Sequence, residues 1–126
     1  MANEEILVYL QDVLDAINDM QNCFIGYPPR YDMFEKDIMR RCVVERKVEI
    51  MGEAINRIRK TDPSVDIPNA RAIIDTRNRI IHAYDNVQPD FLWSLVIRHI
   101  PKLKTDIEQI ISEYERLYNQ EHNNTD

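Results

Sequence analysis

Eight consecutive residues, Arg77-Asn78-Arg79-Ile80-Ile81-His82-Ala83-Tyr84, bring a guanidinium, an imidazole and a phenol together in a chain with three histidines. These are side chains that phosphodiester chemistry can use. An imidazole transfers protons near neutral pH. A guanidinium grips a phosphate and offsets charge growing on its non-bridging oxygens. The reaction this combination suits is RNA cleavage without a metal. His82 would take the proton of a ribose 2′-hydroxyl, or protonate the departing 5′-oxygen, while Arg77 holds the phosphate, and the product would be a 2′,3′-cyclic phosphate. General acid–base help of this kind contributes roughly 10²–10⁴-fold. Asn78, four residues before His82, shares its helix face and is placed to orient it. Arg77 lies five residues away, about 140° around a helix axis, so a long side chain or a second subunit must close the gap. With one such imidazole per motif, a two-fold dimer that joins two copies is the more effective arrangement. The same spacing also fits an arginine and a histidine that simply solvate a helix end.

Other residues enter as supporting candidates. Glu53, between Gly52 and Ala54, could approach the motif helix and orient Arg77 or His82; a solvated glutamate fits equally well. Arg79 and Arg57 are candidate RNA contacts, although basic residues near a helix end are also favoured by the dipole alone. Asp75 pairs by spacing with Arg79 as ordinary helix support. His99 reads as packed or at a helix end, and Trp93 with Tyr9, Tyr114 and Tyr118 as core rather than a base-stacking platform. No Gly-rich phosphate loop, zinc-ligand spacing or carboxylate cluster is present, so neither metal nor cofactor is expected.

The elements that must position this motif follow from composition and periodicity. The 126 residues suffice for one domain, and 44% apolar with 30% charged residues is the balance of a globular protein. Two glycines favour long helices over a many-stranded sheet. A first helix is read over 4–21, with Ile6, Leu10, Val13, Leu14, Ile17 and Met20 on one stripe. Gly26-Tyr27-Pro28-Pro29-Arg30 turns the chain. A second helix is read over 33–59. Its Val44, Val48, Met51, Ile55 and Ile58 are spaced for a bundle seam, and Met39, Val43, Ile50 and Ala54 form a second stripe suited to a broad core face or to a partner. After the loop 61–68, the motif helix takes 69–82, with Ile73, Ile74, Ile80 and Ile81 inward, and 85–89 ends it. A last helix runs over 90–119, kinked or split near His99 by Pro101, and a polar tail covers 120–126. The expected fold is all-α, an up-and-down bundle of four to five helices in a single domain, 1–119.

Net charge of −6 disfavours a generic nucleic-acid binder, but residues 57–82 carry +3 and the remainder −9. A basic patch on an acidic body attracts a phosphate while repelling non-specific polyanion. No apolar run reaches the roughly 20 residues a membrane span needs, and the start Met1-Ala2-Asn3-Glu4-Glu5 is not a basic leader, so a cytoplasmic protein is expected. Cys23 and Cys42 lack metal-ligand spacing and read as plain thiols packed as small hydrophobes.

Arg77-x4-His82 resembles the R-x4-6-H signature of HEPN-domain proteins, and His82-Ala83-Tyr84 completes the R-x4-H-x-Y form of the HepT-like toxins. The block from Glu45 to Ile58, with Gly52-Glu53-Ala54 at its centre, resembles the second-helix segment of that family, as do Ile67-Pro68 before the motif and Asp85-Asn86-Val87 after it. The resemblance spans essentially the whole chain. It implies an all-helical homodimer whose two motifs meet in a cleft to form a composite ribonuclease site. It also implies a toxin of a two-gene toxin–antitoxin module, whose partner is a minimal nucleotidyltransferase, the MntA-type antitoxin, that transfers AMP onto Tyr84. A phosphate and its bulk two residues from His82 would repel and block an RNA backbone. Two other readings stand beside the enzyme: a non-catalytic partner that presents a nucleotide or substrate to such a nucleotidyltransferase, and a structural dimer whose motif only caps the helix.

Overall fold

The computed structural model describes residues 2–82 and 88–123. Among them every regular element is helical: α1 (Ala2–Asn22), α2 (Tyr31–Lys36), α3 (Ile38–Thr61), α4 (Ala70–His82), α5 (Pro89–Ser94) and α6 (Ile100–Asn123), with a π-helical turn, Leu95–His99, joining the last two. The fold is the expected all-α bundle. α1 packs on both α3 and α6, and α4 packs on the other side of α3.

The apolar stripes read from spacing are the ones the core uses. Ile6, Leu10, Val13, Ile17 and Met20 of α1 are inaccessible to solvent, as are Val44, Val48, Met51, Ile55 and Ile58 of α3. Ile100, Leu103 and Ile107 of α6 close the third side. Polar ties lace the rim: Lys47 to Asp19 at 2.9 Å and Lys104 to Gln21 at 3.3 Å. The second stripe of α3 divides along its length. Ala54 is buried and Ile50 packs against the core, whereas Met39, beside Ile38, is open to solvent.

The helix expected over 33–59 is two helices, because Asp37 interrupts it. Its carboxylate accepts the backbone N–H of Arg40 at 3.1 Å, capping α3, and also meets the Arg40 guanidinium at 2.8 Å and the Tyr27 hydroxyl at 3.1 Å. A short acid that can satisfy the first free N–H groups of a new helix competes with continuation of the old one. The Arg40 guanidinium, its N–H and the Tyr27 hydroxyl together hold the Asp37 carboxyl below its ordinary pKa.

Pro101 divides the last helix as expected. With no N–H to donate and a ring that would meet the carbonyl four residues back, it is accommodated by the wider turn before it, in which the N–H of Ile100 reaches the carbonyl of Leu95. α6 then continues to Asn123, four residues past the expected end. Cys23 and Cys42 are free thiols, but Cys42 is exposed rather than packed. Among the described residues no helix is long and apolar enough to cross a membrane.

Candidate active site

α4 carries Arg77 and His82 of the motif, and its entry is fixed by local chemistry. Asn69 turns into the helix at φ 65°, a conformation asparagine tolerates better than most residues. Its side-chain amide donates to Asp106 at 2.7 Å, tying the entry of α4 to α6. Along α4, Ala70, Ile73 and Thr76 are buried, and the Thr76 hydroxyl donates back to the carbonyl of Ala72 at 2.7 Å. Ile74 and Ile80 are half-buried, but Ile81, expected inward, is 52% exposed. The inward face is instead completed by Arg77, which falls beside Ile73 and Ile80 on the helix surface.

Arg77 is accommodated by Gly52. This glycine is buried in the middle of the 24-residue α3. A Cβ there would collide with Cδ of Arg77 and come within 3.2 Å of its Cγ and Nε. Glycine in a helix interior costs about 1 kcal/mol relative to alanine; here it supplies the space in which the arginine stem crosses the neighbouring helix. Nε of Arg77 is buried without a hydrogen-bond partner, and the residue forms no ion pair among the described residues. The guanidinium is thereby positioned by its stem and meets no counter-ion among the described residues, a condition suited to binding an anion from outside.

His82 and Asn78 are both exposed, on the adjoining face of α4. Neither meets a hydrogen-bond partner among the described residues. The two are one turn apart, so an amide and an imidazole sit side by side at the open end of the helix. Tyr84 lies outside the described residues, as do Asp85, Asn86 and Val87.

The supporting candidates are placed differently from one another. The Glu53 carboxylate pairs with Arg57 at 2.8 Å, and among the described residues no hydrogen bond or ion pair joins it to Arg77 or His82. Arg57 is thereby neutralised at the surface, with its guanidinium 5.9 Å from the Tyr9 ring. Asp75 approaches Arg71 at 3.7 Å, not Arg79. Arg79 instead lays its guanidinium over the Phe91 ring, 4.0 Å from the centroid. His99, at the end of the π-turn, is half-buried and lines the groove between α4 and α5. Trp93 packs against Phe34 at 5.1 Å and Phe24 at 6.1 Å, an aromatic cluster that fixes α5 against α2. Among the described residues no group of three or more His, Cys, Asp or Glu side chains is placed to hold a metal ion.

Two residues of this region carried a signal that spacing arguments passed over. Gly52 is one of two glycines in the chain and sits where a helix disfavours it, which is itself a sign of close approach. Phe91 follows Pro89-Asp90 at a helix start, where no apolar stripe requires it.

The bundle and its arginine–histidine helix end define a class: a small all-helical protein with a cation and an exposed imidazole on one helix. The model of the HepT-like ribonuclease family matches residues 11–110, and the chain belongs to that family. A candidate RNase of Methanocaldococcus jannaschii is 30% identical over 110 residues, covering 86% of this chain and 98% of the relative. A second candidate RNase of the same organism is 28% identical over 113 residues, 88% of this chain and 85% of the relative. A candidate ribonuclease HepT of Thermococcus cleftensis is 30% identical over 111 residues, 81% of this chain and 92% of the relative. No solved structure matches the chain significantly.

Proposed function

We propose that this chain is the ribonuclease toxin of a toxin–antitoxin module, cleaving RNA without a metal at a composite site built by two copies. The observation that carries the reading is the pair on α4. Arg77 is held across Gly52 with no counter-ion among the described residues, and His82 stands exposed one turn and a half further on.

The chemistry assigned to each residue follows from its type and placement. His82 moves the proton, either from the 2′-hydroxyl or to the 5′-oxygen. Arg77 binds the scissile phosphate and stabilises the charge that gathers on its non-bridging oxygens. Asn78 orients the imidazole or the ribose. One imidazole per chain supplies one proton-transfer group at a time. A homodimer that faces two α4 ends supplies the second, and the solvent-facing positions of His82 and Asn78 are compatible with that meeting. The donors are a cation, an imidazole and an amide, which polarise a phosphate without a bound ion.

Control is assigned to a minimal nucleotidyltransferase of the MntA type, which transfers AMP to Tyr84. The added phosphate places negative charge two residues from His82, where an RNA phosphate must approach. Intact mass of the chain co-expressed with that partner, against the chain alone, tests the control arm: one or more AMP units mapped to Tyr84 are expected. His82→Ala tests the catalytic arm. Cleavage of single-stranded RNA should fall by roughly 10²–10⁴-fold with folding unchanged. Full cleavage by that variant would overturn the assignment.

A further inference from the structure

Arg79 and Phe91 form a stacked pair that the core does not require. Both side chains are exposed, Phe91 by 40%, yet the guanidinium lies over the ring with Cζ 4.0 Å from the centroid. Arg79 has no acid partner among the described residues, since the nearest acid on its helix, Asp75, turns to Arg71. The pair stands at the mouth of a groove of about 200 Å³ between α4 and α5. Asp75, Thr76, Ser94 and His99 line the same groove. The Thr76 hydroxyl is committed to the Ala72 carbonyl. The Ser94 hydroxyl and the His99 ring meet no partner among the described residues. A cation held on an aromatic ring, with unspent polar groups behind it, is a surface suited to a planar, polar ligand.

The position of this groove relative to the motif narrows the ligand. Arg79 lies three residues before His82, so the two are neighbours on the surface of α4, about 4.5 Å apart along its axis. A phosphate at His82 leaves the adjoining base within reach of the Arg79 plane. Single-stranded RNA is read by splaying bases onto aromatic rings and arginine planes and by hydrogen bonds to their edges.

We propose that the α4–α5 groove is a base-reading subsite for the nucleotide beside the scissile phosphate. The base enters the groove and lies against the Arg79 guanidinium and the Phe91 ring that line it. Its edge meets the Asp75 carboxylate, an acceptor that selects an exocyclic amine as carboxylates do for cytosine N4. Adenine, cytosine and guanine carry such an amine and uracil does not, so uracil is disfavoured at this position. Arg79 and Phe91 act as specificity-determining residues here, while Arg77 and His82 act on the bond. This subsite rests on the reading of the chain as a ribonuclease.

The test uses short single-stranded RNAs that differ at one nucleotide, with binding read by fluorescence anisotropy and cleavage by product mapping. Three single variants are compared with the unaltered chain: Phe91→Leu, which keeps apolar contact but loses the ring; Arg79→Lys, which keeps the charge but loses the plane; and Asp75→Asn. Phe91→Leu and Arg79→Lys should each weaken binding about tenfold, in keeping with the loss of one stacked base. Asp75→Asn should flatten the discrimination against uracil, with melting temperature unchanged in all three. Retained affinity and retained base preference in these variants overturn the subsite, while cleavage by the parent keeps the ribonuclease reading. Binding by the parent that is weakened in the variants, with no cleavage by any form, keeps the groove as a base-binding site but overturns the ribonuclease reading and the groove's place beside a scissile phosphate. If either variant instead dissociates a dimer in sedimentation, the groove is a protein contact and the subsite is overturned.

Discussion

The seam between α1 and α3 and the corner between α4 and α5 are built on opposite terms. In the seam, side chains point inward at every turn, and ten of them, five from each helix, have no exposure at all. In the corner, Arg79, Phe91, Ile81 and His82 are all exposed, and among the described residues the Arg79–Phe91 contact spans the two helices. A close-packed seam resists any change of volume. On the proposed reading the corner admits RNA, which calls for exposed cations and rings rather than a closed core. Gly52 and Arg77 are where the two regions touch.

That contrast is broken most severely by one substitution in each region. Arg77→Ala should reduce RNA cleavage by roughly 10²–10³-fold, the cost of losing one well-placed donor to transition-state charge, and should leave the melting temperature close to that of the parent. Ile55→Ala, in the fully buried seam, should cost about 2–5 kcal/mol in urea unfolding. Below its unfolding transition that variant should retain most of its cleavage rate. If Arg77→Ala unfolds the chain or Ile55→Ala alone abolishes cleavage, the separation of the two regions fails.

Gly52→Ala sharpens the comparison, because it alters the seam in order to disturb the corner. The new methyl gains about 1 kcal/mol of helix propensity and collides with the Arg77 stem. The arginine must leave its channel. Cleavage is expected to fall about tenfold or more, consistent with the sensitivity of catalysis to misplacement of about 1 Å, while urea unfolding changes by about 1 kcal/mol or less. Unchanged cleavage would show that the channel does not position Arg77.

The sequence made the seam legible and the corner only in part, for a physical reason. Val44, Val48, Met51, Ile55 and Ile58 repeat at the helical period, and burial is what that period encodes. The break at Asp37 was not visible in periodicity, since the apolar pattern runs on either side of it and only the cap, with Arg40 and Tyr27 converging from different segments, reveals the stop. In the corner, Arg77 and His82 were legible as chemistry, but not the inward course of Arg77. Nor was the choice of Glu53 for Arg57, or of Arg79 for Phe91, because each is settled by which neighbour lies nearest in three dimensions. Tyr84 rests on the motif alone.

The smallest effect is expected at that overlooked cap, and it separates charge from geometry. Asp37→Ala removes the acceptor for the Arg40 N–H and should cost about 1 kcal/mol, the usual value for a lost N-cap. Asp37→Asn keeps an acceptor in place and should cost less near neutral pH. The two differ from the parent in acid. The Arg40 guanidinium, its N–H and the Tyr27 hydroxyl keep the Asp37 carboxyl below its ordinary pKa in the folded chain. Its contribution is therefore fully present above the unfolded value of about 3.9 and is lost as pH falls through the lower folded value. Urea unfolding of parent and Asp37→Asn should show a stability gap that holds at neutral pH and narrows as pH falls through about 3.9 toward the lower folded value. A gap independent of pH would mean that the cap works through hydrogen-bond geometry alone, and that the charge of Asp37 contributes nothing to the start of α3.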